Sequence, residues 1–195
     1  IDPDIFLANI NSTSAILCNG GTGDLVITTT GGTGPISSYQ WSDGTTNSSL
    51  NNVIAGNYTC FVEDNNGCSY IAQYDLVEPD TLQASGFVSE NIIGFGNSNG
   101  QITAQINGGI PPYTYSIDNG IFTFDSIFQN LLASNYLISY KDSNDCTISE
   151  NIILNNPEQL SGYVAILFPV TCNGACDGSI KFVNNNSGTP PYTYS

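Results

Sequence analysis

The chain repeats itself, and the period decides what it can become. Gly31-Gly32 returns as Gly108-Gly109, Gly56-Asn57-Tyr58 as Ser134-Asn135-Tyr136, and Asp64-Asn65-Asn66-Gly67-Cys68 as Asp142-Ser143-Asn144-Asp145-Cys146. Glu78-Pro79-Asp80-Thr81-Leu82 returns as Asn156-Pro157-Glu158-Gln159-Leu160, and Pro111 to Ser116, PPYTYS, as Pro190 to Ser195. The offsets are 77 to 79 residues. Solenoid coils recur every 20 to 50 residues or so, which excludes that architecture. A period this long suits a small independent domain, one whose modest core gains from staples or neighbours. The expected boundaries are 1–80 for the first copy, 81–158 for the second and 159–195 for the first half of a third, truncated copy.

Within each copy the patterning is β. Asp24 to Thr30 matches Gln101 to Ile106, both alternating with period two and rich in β-branched residues. Asp43-Gly44 and Asp118-Asn119-Gly120 carry turn chemistry. Asn57 to Val62 and Asn135 to Tyr140 read as the next strand, and each chain then turns at the Asp-Asn-Gly-Cys region into Tyr70–Val77 or Thr147–Leu154. No stripe with helical spacing is present. Six or seven strands per copy, with turns every 8 to 12 residues, point to an all-β fold of tandem Ig-like (PKD-like) β-sandwich domains, two complete and one truncated. LNNVIAGNYTC (Leu50 to Cys60) fits a tyrosine corner with Trp41 on an earlier strand, so Tyr58 and Tyr136 are expected to bury their rings and bond backbone through their hydroxyls.

Composition removes most chemistries. Seventeen acidic residues stand against two lysines, Lys141 and Lys181, for a formal charge of −15, and there is no His. Nucleic acid needs a cationic footprint, and anionic membrane surfaces would repel the chain. Without His there is no Ser-His-Asp triad, Cys-His dyad or His-ligated zinc. Carboxylate-only catalysis needs an acidic pair, and none stands apart from the turns, so no enzymatic activity is expected. No run of 18 apolar residues exists to cross a membrane as a helix. The chain opens without Met or signal peptide, and Ile1 is expected to lie inside a longer polypeptide. The six cysteines, Cys18, Cys60, Cys68, Cys146, Cys172 and Cys176, form no CxxC pair and are expected to be structural disulfides of an oxidising, extracellular setting.

TCNGACDGSI (Thr171 to Ile180), GG-x-PPYTYS (Gly108 to Ser116), a G-x-Y strand, D-x-NGC and a closing Pro together resemble the SprB-type repeat of surface adhesins in gliding Bacteroidota and of related secreted proteins. The likeness covers two full repeats and a partial one. The first copy departs from it at Gly34 to Tyr39, and the second lacks the early cysteine, with Phe95 near that place. The resemblance implies a cell-surface tandem β-sandwich array with no catalytic residues, acting as an adhesin stalk or a filament unit. The alternative is a glycan-binding module of a secreted enzyme or viral fibre. Expected partners are neighbouring repeats and other copies of the chain in a filament, with surface glycans or proteins as further ligands.

Cys18 and Cys60 align with Phe95 and Ile138, so the second copy loses both, as a bonded pair would; Cys18–Cys60 is the first expectation. Cys18–Cys68 is its rival, because the early and the D-x-NGC cysteines both belong to the family pattern. Cys146 has no evident partner in its own repeat and points to a neighbouring domain or chain, and Cys172 and Cys176 to residues past Ser195. Asp64, Asp142, Asp145 and Asp177 are candidate calcium ligands, although turns require the same Asp-Asn-Gly clusters and are the first expectation. No other cofactor is expected. Asn11, Asn47, Asn57 and Asn185 sit in Asn-x-Ser/Thr triplets. Thr81 and Ser126, each after an Asp and before an apolar residue, resemble the O-glycosylation motif of Bacteroidota. Tyr113, Tyr115, Phe122 and Phe124 are expected in the core of a spacer, and on one open face of a glycan binder.

Overall fold

The computed structural model describes residues 4–184, 187–188 and 190–193. Asn185 and the Tyr194-Ser195 end of the third PPYTYS copy lie outside the described residues. Every regular element among them is a strand, and the chain divides into two compact units. The first comprises Ile1–Gln83 with Asn107–Pro112 and Asp142–Thr147; the second comprises Ala84–Ile106, Tyr113–Lys141 and Ile148–Ser195. Two loops of the second sequence copy therefore belong to the first compact unit.

In the first unit, β1 (Leu7–Ser14), β2 (Gly23–Thr30) and β4 (Ser49–Val53) form one antiparallel sheet in the order β1-β2-β4. β3 (Ile36–Trp41), β5 (Gly56–Asp64) and β6 (Ser69–Leu76) form the other, in the order β3-β5-β6. In immunoglobulin lettering, with no strand D, these are the A-B-E and C-F-G sheets of an immunoglobulin-like sandwich. The alternation foreseen for β2 is realised, with Leu25 and Ile27 buried and Val26 and Thr28 outward. Those side chains meet Ile10, Trp41, Cys60, Val62, Ala72 and Leu76 in one core. Each large aliphatic side chain so enclosed contributes about 1.5–3 kcal/mol. Trp41 on β3 keeps its indole N–H satisfied by donating to the Asn47 carbonyl at 2.8 Å.

The second unit repeats the plan. After the two-residue strand β7 (Gln83–Ala84), β8 (Phe87–Glu90), β9 (Gly100–Thr103) and β12 (Ile127–Leu131) form the A-B-E sheet. Beyond β10 (Ile106–Asn107), which pairs with β7, the C-F-G sheet is built of β11 (Thr114–Ile117), β13 (Ser134–Lys141) and β14 (Thr147–Leu154). The strand expected over Gln101 to Ile106 is thus broken at Ala104-Gln105 into β9 and β10. The core holds Ile102, Ala104, Ile138, Tyr140 and Ile152, with Tyr115 edge-on to Tyr140 at 5.8 Å between ring centres. Burial, with the Glu150 carboxylate accepting its hydroxyl, pushes the Tyr140 phenol far above its ordinary pKa. Asp118 and Asn119, both at positive φ, reverse the chain so that Tyr115 bridges Thr123. β15 (Gly162–Phe168) and β16 (Ser179–Asn184) pair antiparallel, as do the first two strands of the other copies.

The tyrosine corners form in both copies. Tyr58 and Tyr136 are half-buried and donate to the carbonyls of Ile54 and Leu132, each four residues upstream, at 2.9 Å.

Candidate functional site

The D-x-N-x-C segments fold into two nearly identical loops. Asp64 closes β5 and is 2% exposed, while Asp142 follows β13 and is 4% exposed. Asp64 Oδ1 accepts the backbone N–H of Asn66 and of Cys68, both at 2.9 Å, and its Oδ2 accepts Thr33 N–H at 3.1 Å. Asp142 repeats this with Asn144 at 2.9 Å, Cys146 at 3.0 Å and Ile110 at 3.0 Å. The Thr33 N–H is the main reason the Asp64 carboxyl titrates below the usual carboxylate range; burial opposes it, and the Cys68 and Asn66 N–H groups add to it. The cysteine backbone closes each loop, Asp64 N–H donating to Cys68 O and Asp142 N–H to Cys146 O.

The repeated Gly-Gly pair makes room for this carboxylate. Gly31 and Gly108 sit at φ +71° and +77°, where a Cβ would stand 2.1 Å from Ile5 O and 2.0 Å from Thr81 O. At Gly32 and Gly109 a Cβ would meet Asp64 Oδ2 at 3.1 Å and Asp142 Oδ2 at 2.7 Å. The paired glycines thus recur for the same steric reason in both copies.

Between β1 and β2 lies a Cys-Asn-Gly turn. Cys18 O accepts Gly21 N–H at 2.9 Å, with Gly20 at φ +74°. This turn holds the Pro79 segment: Gly20 N–H donates to Glu78 Oε2 at 2.6 Å, Asn19 Nδ2 to Pro79 O at 3.1 Å, and Thr81 Oγ1 to Asn19 Oδ1 at 2.8 Å. It also meets the Asp142 loop. Cys18 and Cys146 form a disulfide with Cα atoms 5.7 Å apart and 128 residues of sequence separation. Beside it Asn144 Nδ2 donates to Leu17 O at 2.9 Å. Turn, linker segment and loop all lie within the first unit.

This pairing corrects both expectations for Cys18. Cys60 lies on β5 facing inward, fully buried, and burial pushes its thiol pKa up. It fills the core place that Ile138 fills in the other unit, as a small hydrophobe. Leu25 and Ile27 of β2 share its core, whereas Cys18 sits in the turn before β2. Cys68 is a half-buried free thiol on the Asp64 loop. Cys172 and Cys176 are exposed free thiols.

The acidic candidates have backbone work. Asp64 and Asp142 serve the loops above, and Asp145 stands at φ +63° where the first copy has Gly67. Asp177 accepts the hydroxyl and the N–H of Thr171, and that hydroxyl first, then the N–H, lowers its pKa. No group of three or more His, Cys, Asp or Glu among the described residues is placed to hold a metal ion. Thr81 is exposed with its hydroxyl on Asn19, and Ser126 is half-buried with its carbonyl accepting Ala104 N–H at 2.7 Å. The aromatic expectation needs correction. Phe124 is 74% exposed, while Tyr113, Tyr115 and Phe122 are only half-buried, Phe122 beneath Lys141 Nζ at 4.9 Å. Within the 121–124 segment Thr123 pairs with Tyr115 of the edge strand β11 through two backbone hydrogen bonds, and Phe124 beside it stands in solvent.

Sequence reasoning missed Asn19, Glu78 and Asn144 as the polar partners of the junction. The two asparagines carried a signal, since Asn recurs in the third place of both D-x-N loops and Asn-Gly follows both Cys18 and Cys172, whereas Glu78 is replaced by Asn156 in the next copy and carried none.

The model of the SprB repeat matches residues 10–46, 86–122 and 165–195, together more than half of the chain. The chain belongs to the SprB repeat family. The three matches open within β1, just before β8 and within β15, so each SprB segment spans the turns from β1 to β2, β8 to β9 and β15 to β16. No curated protein matches the sequence. Among solved structures, the chain is similar to the C-terminal 282-residue fragment of intimin, solved in complex with the intimin-binding domain of the translocated intimin receptor. That likeness has 12% identity over 83% of this chain and 67% of that one, with a TM-score of 0.44. It is also similar to the fibronectin(III)-like modules of Clostridium thermocellum CbhA, at 14% identity over 76% and 94% of the chains and a TM-score of 0.31. The N-terminal eight Ig domains of the Down syndrome cell adhesion molecule give 16% identity over 84% and 26%, with a TM-score of 0.38.

Proposed function

We propose that this SprB chain is a stalk segment of an extracellular adhesin, one that transmits tension along a string of sandwich domains and performs no catalysis. The observation that carries this reading is the Cys18–Cys146 bond, which ties a turn of the first repeat to a loop of the second. A pull along the chain reaches that covalent link before it can extend the residues between the two cysteines. The Asn19, Gly20 and Thr81 hydrogen bonds hold the Pro79 segment beside the same link. A charge of −15 keeps such strings apart in solution, and two lysines leave almost nothing for trypsin-like proteases. Repeats 1–80, 81–158 and 159–195 are the units of the string, and its surroundings are the cell surface. Antibody raised against the chain should label intact, non-permeabilised cells of the source as surface threads. Labelling only after permeabilisation would overturn this reading.

The open Phe124, beside Ile121 at 90% exposure, favours a second reading, in which the 121–124 segment grips a glycan. Binding on a glycan array that is lost in Phe124→Ala would carry it. A pure stalk gives no retained glycan with either protein.

A further inference from the structure

The Cys18–Cys146 junction has two halves, and the chain carries a second, unmated specimen of each. The receiving half is the Asp142 loop, and the Asp64 loop reproduces it bond for bond: a buried carboxylate on three backbone N–H groups, with the cysteine four residues on. Cys68 therefore stands where Cys146 stands, half-buried and with a free thiol. The inserting half is the Cys18-Asn19-Gly20 turn, and Cys172-Asn173-Gly174 reproduces it. Cys172 O accepts Ala175 N–H at 3.0 Å and Gly174 lies at φ +87°, against 2.9 Å and +74° in the first turn. Cys172 is an exposed free thiol. The corresponding turn of the second copy, closed by Asn97 N–H on Gly94 O, carries no cysteine, so it brings no thiol to a junction.

The two loops differ in where one amide points. In the occupied loop the Asn144 amide reaches out to Leu17 O, the carbonyl just before the incoming cysteine. In the Asp64 loop the matching Asn66 amide turns inward to Thr33 O at 3.0 Å and Thr33 Oγ1 at 2.8 Å. The same donor has a partner in each case: the first loop offers it the Thr33 hydroxyl, and the second, with Ile110 in that place, leaves it for the incoming turn.

We propose that the Asp64–Cys68 loop is a docking site for the Cys172 turn of a second copy of this chain, sealed by a Cys172–Cys68 disulfide that joins copies head to tail. The proposal rests on the Cys18–Cys146 junction described above. A small-molecule disulfide such as oxidised glutathione is the oxidant. The Cys172 thiolate attacks it, forming a mixed disulfide and releasing one glutathione; the Cys68 thiolate of the other copy then displaces the second glutathione. Two protein thiols are oxidised, one glutathione disulfide is reduced, and the two protons leave on the released thiols. Asn66 swings to the Thr171 carbonyl as the turn seats.

The test uses the 195-residue chain, purified reduced and incubated at about 100 μM in a glutathione redox buffer near the poise of an oxidising compartment. Non-reducing gels should show a ladder of multimers, and acid-protease digestion should yield a Cys68–Cys172 peptide beside the Cys18–Cys146 peptide. C68S alone and C172S alone should each stay monomeric, their mixture should stop at the dimer, and C176S should still form the ladder. Cys172 is exposed, so its serine variant keeps the test independent of any folding defect in C68S. Multimers that persist in either single variant would overturn the proposal. So would a Cys172–Cys176 peptide in place of Cys68–Cys172, or a monomer throughout while Cys18–Cys146 forms. Absence of the Cys18–Cys146 peptide would bring down the stalk reading as well, which separates the two failures.

Discussion

Removing one end of the disulfide, by Cys146→Ser, should be among the most costly single changes in the first unit. The bond closes a loop of 128 residues. Chain-entropy arithmetic for a loop of that length gives about 5 kcal/mol, and native bridges commonly deliver about 2–4 kcal/mol of it. The Asn144 bond to Leu17 survives the substitution and retains on the order of 1 kcal/mol of the junction. The expected loss is therefore about 3 kcal/mol, which for a chain of this size lowers Tm by roughly 6–12 °C. Differential scanning calorimetry of four samples decides it: the oxidised protein and the variant, each with and without reductant. Reductant should bring the oxidised protein down to the variant and leave the variant where it was. A variant that melts with the oxidised protein, or one that reductant lowers further, would refute the assignment of the staple to Cys18 and Cys146.

Three further outcomes follow from the same geometry. The Asp64 carboxyl has a depressed folded pKa, so its contribution is complete above the unfolded carboxylate value of about 3.9 and is lost as pH falls through the folded value. Tm measured from pH 6 to pH 2 should drop more steeply below about pH 4 for the native chain than for Asp64→Asn. Cys60→Ser should cost about 1–3 kcal/mol in denaturant titration, by placing an unpartnered hydroxyl in the core, and the cost should be the same with and without reductant. Tyr58→Phe and Tyr136→Phe should each cost about 1 kcal/mol through the lost bond to the carbonyl four residues upstream, with near-UV circular dichroism otherwise unchanged.

Most of the architecture was legible because β-sandwiches are written in local patterns. The alternation in β2, the Asp118-Asn119 turn, Trp41 on the third strand and the tyrosine corners each act over a few residues, and each fell where expected. The site was less legible because its partners are distant. Cys18 finds Cys146 only after the Asp142 loop has been packed into the first unit, and no periodicity encodes that meeting. The joint loss of Cys18 and Cys60 in the second copy suggested a pair; in fact one position faces the core, where Ile138 serves as well, and the other caps a turn. Phe124 misled in a similar way. It was expected in the core of a spacer, yet its segment pairs only at Thr123, with Tyr115 on the edge strand β11, and its ring stands in solvent.

Pulling single chains by their ends measures directly the covalent link proposed to carry tension from one repeat to the next. An intact Cys18–Cys146 bond hides the residues it encloses from extension. At about 3.3–3.6 Å per residue, the fully unfolded oxidised chain should fall short of the reduced chain by about 420–460 Å. Equal contour lengths would contradict the account. So would a deficit of only about 140–150 Å, the length that a Cys18–Cys60 bridge would enclose.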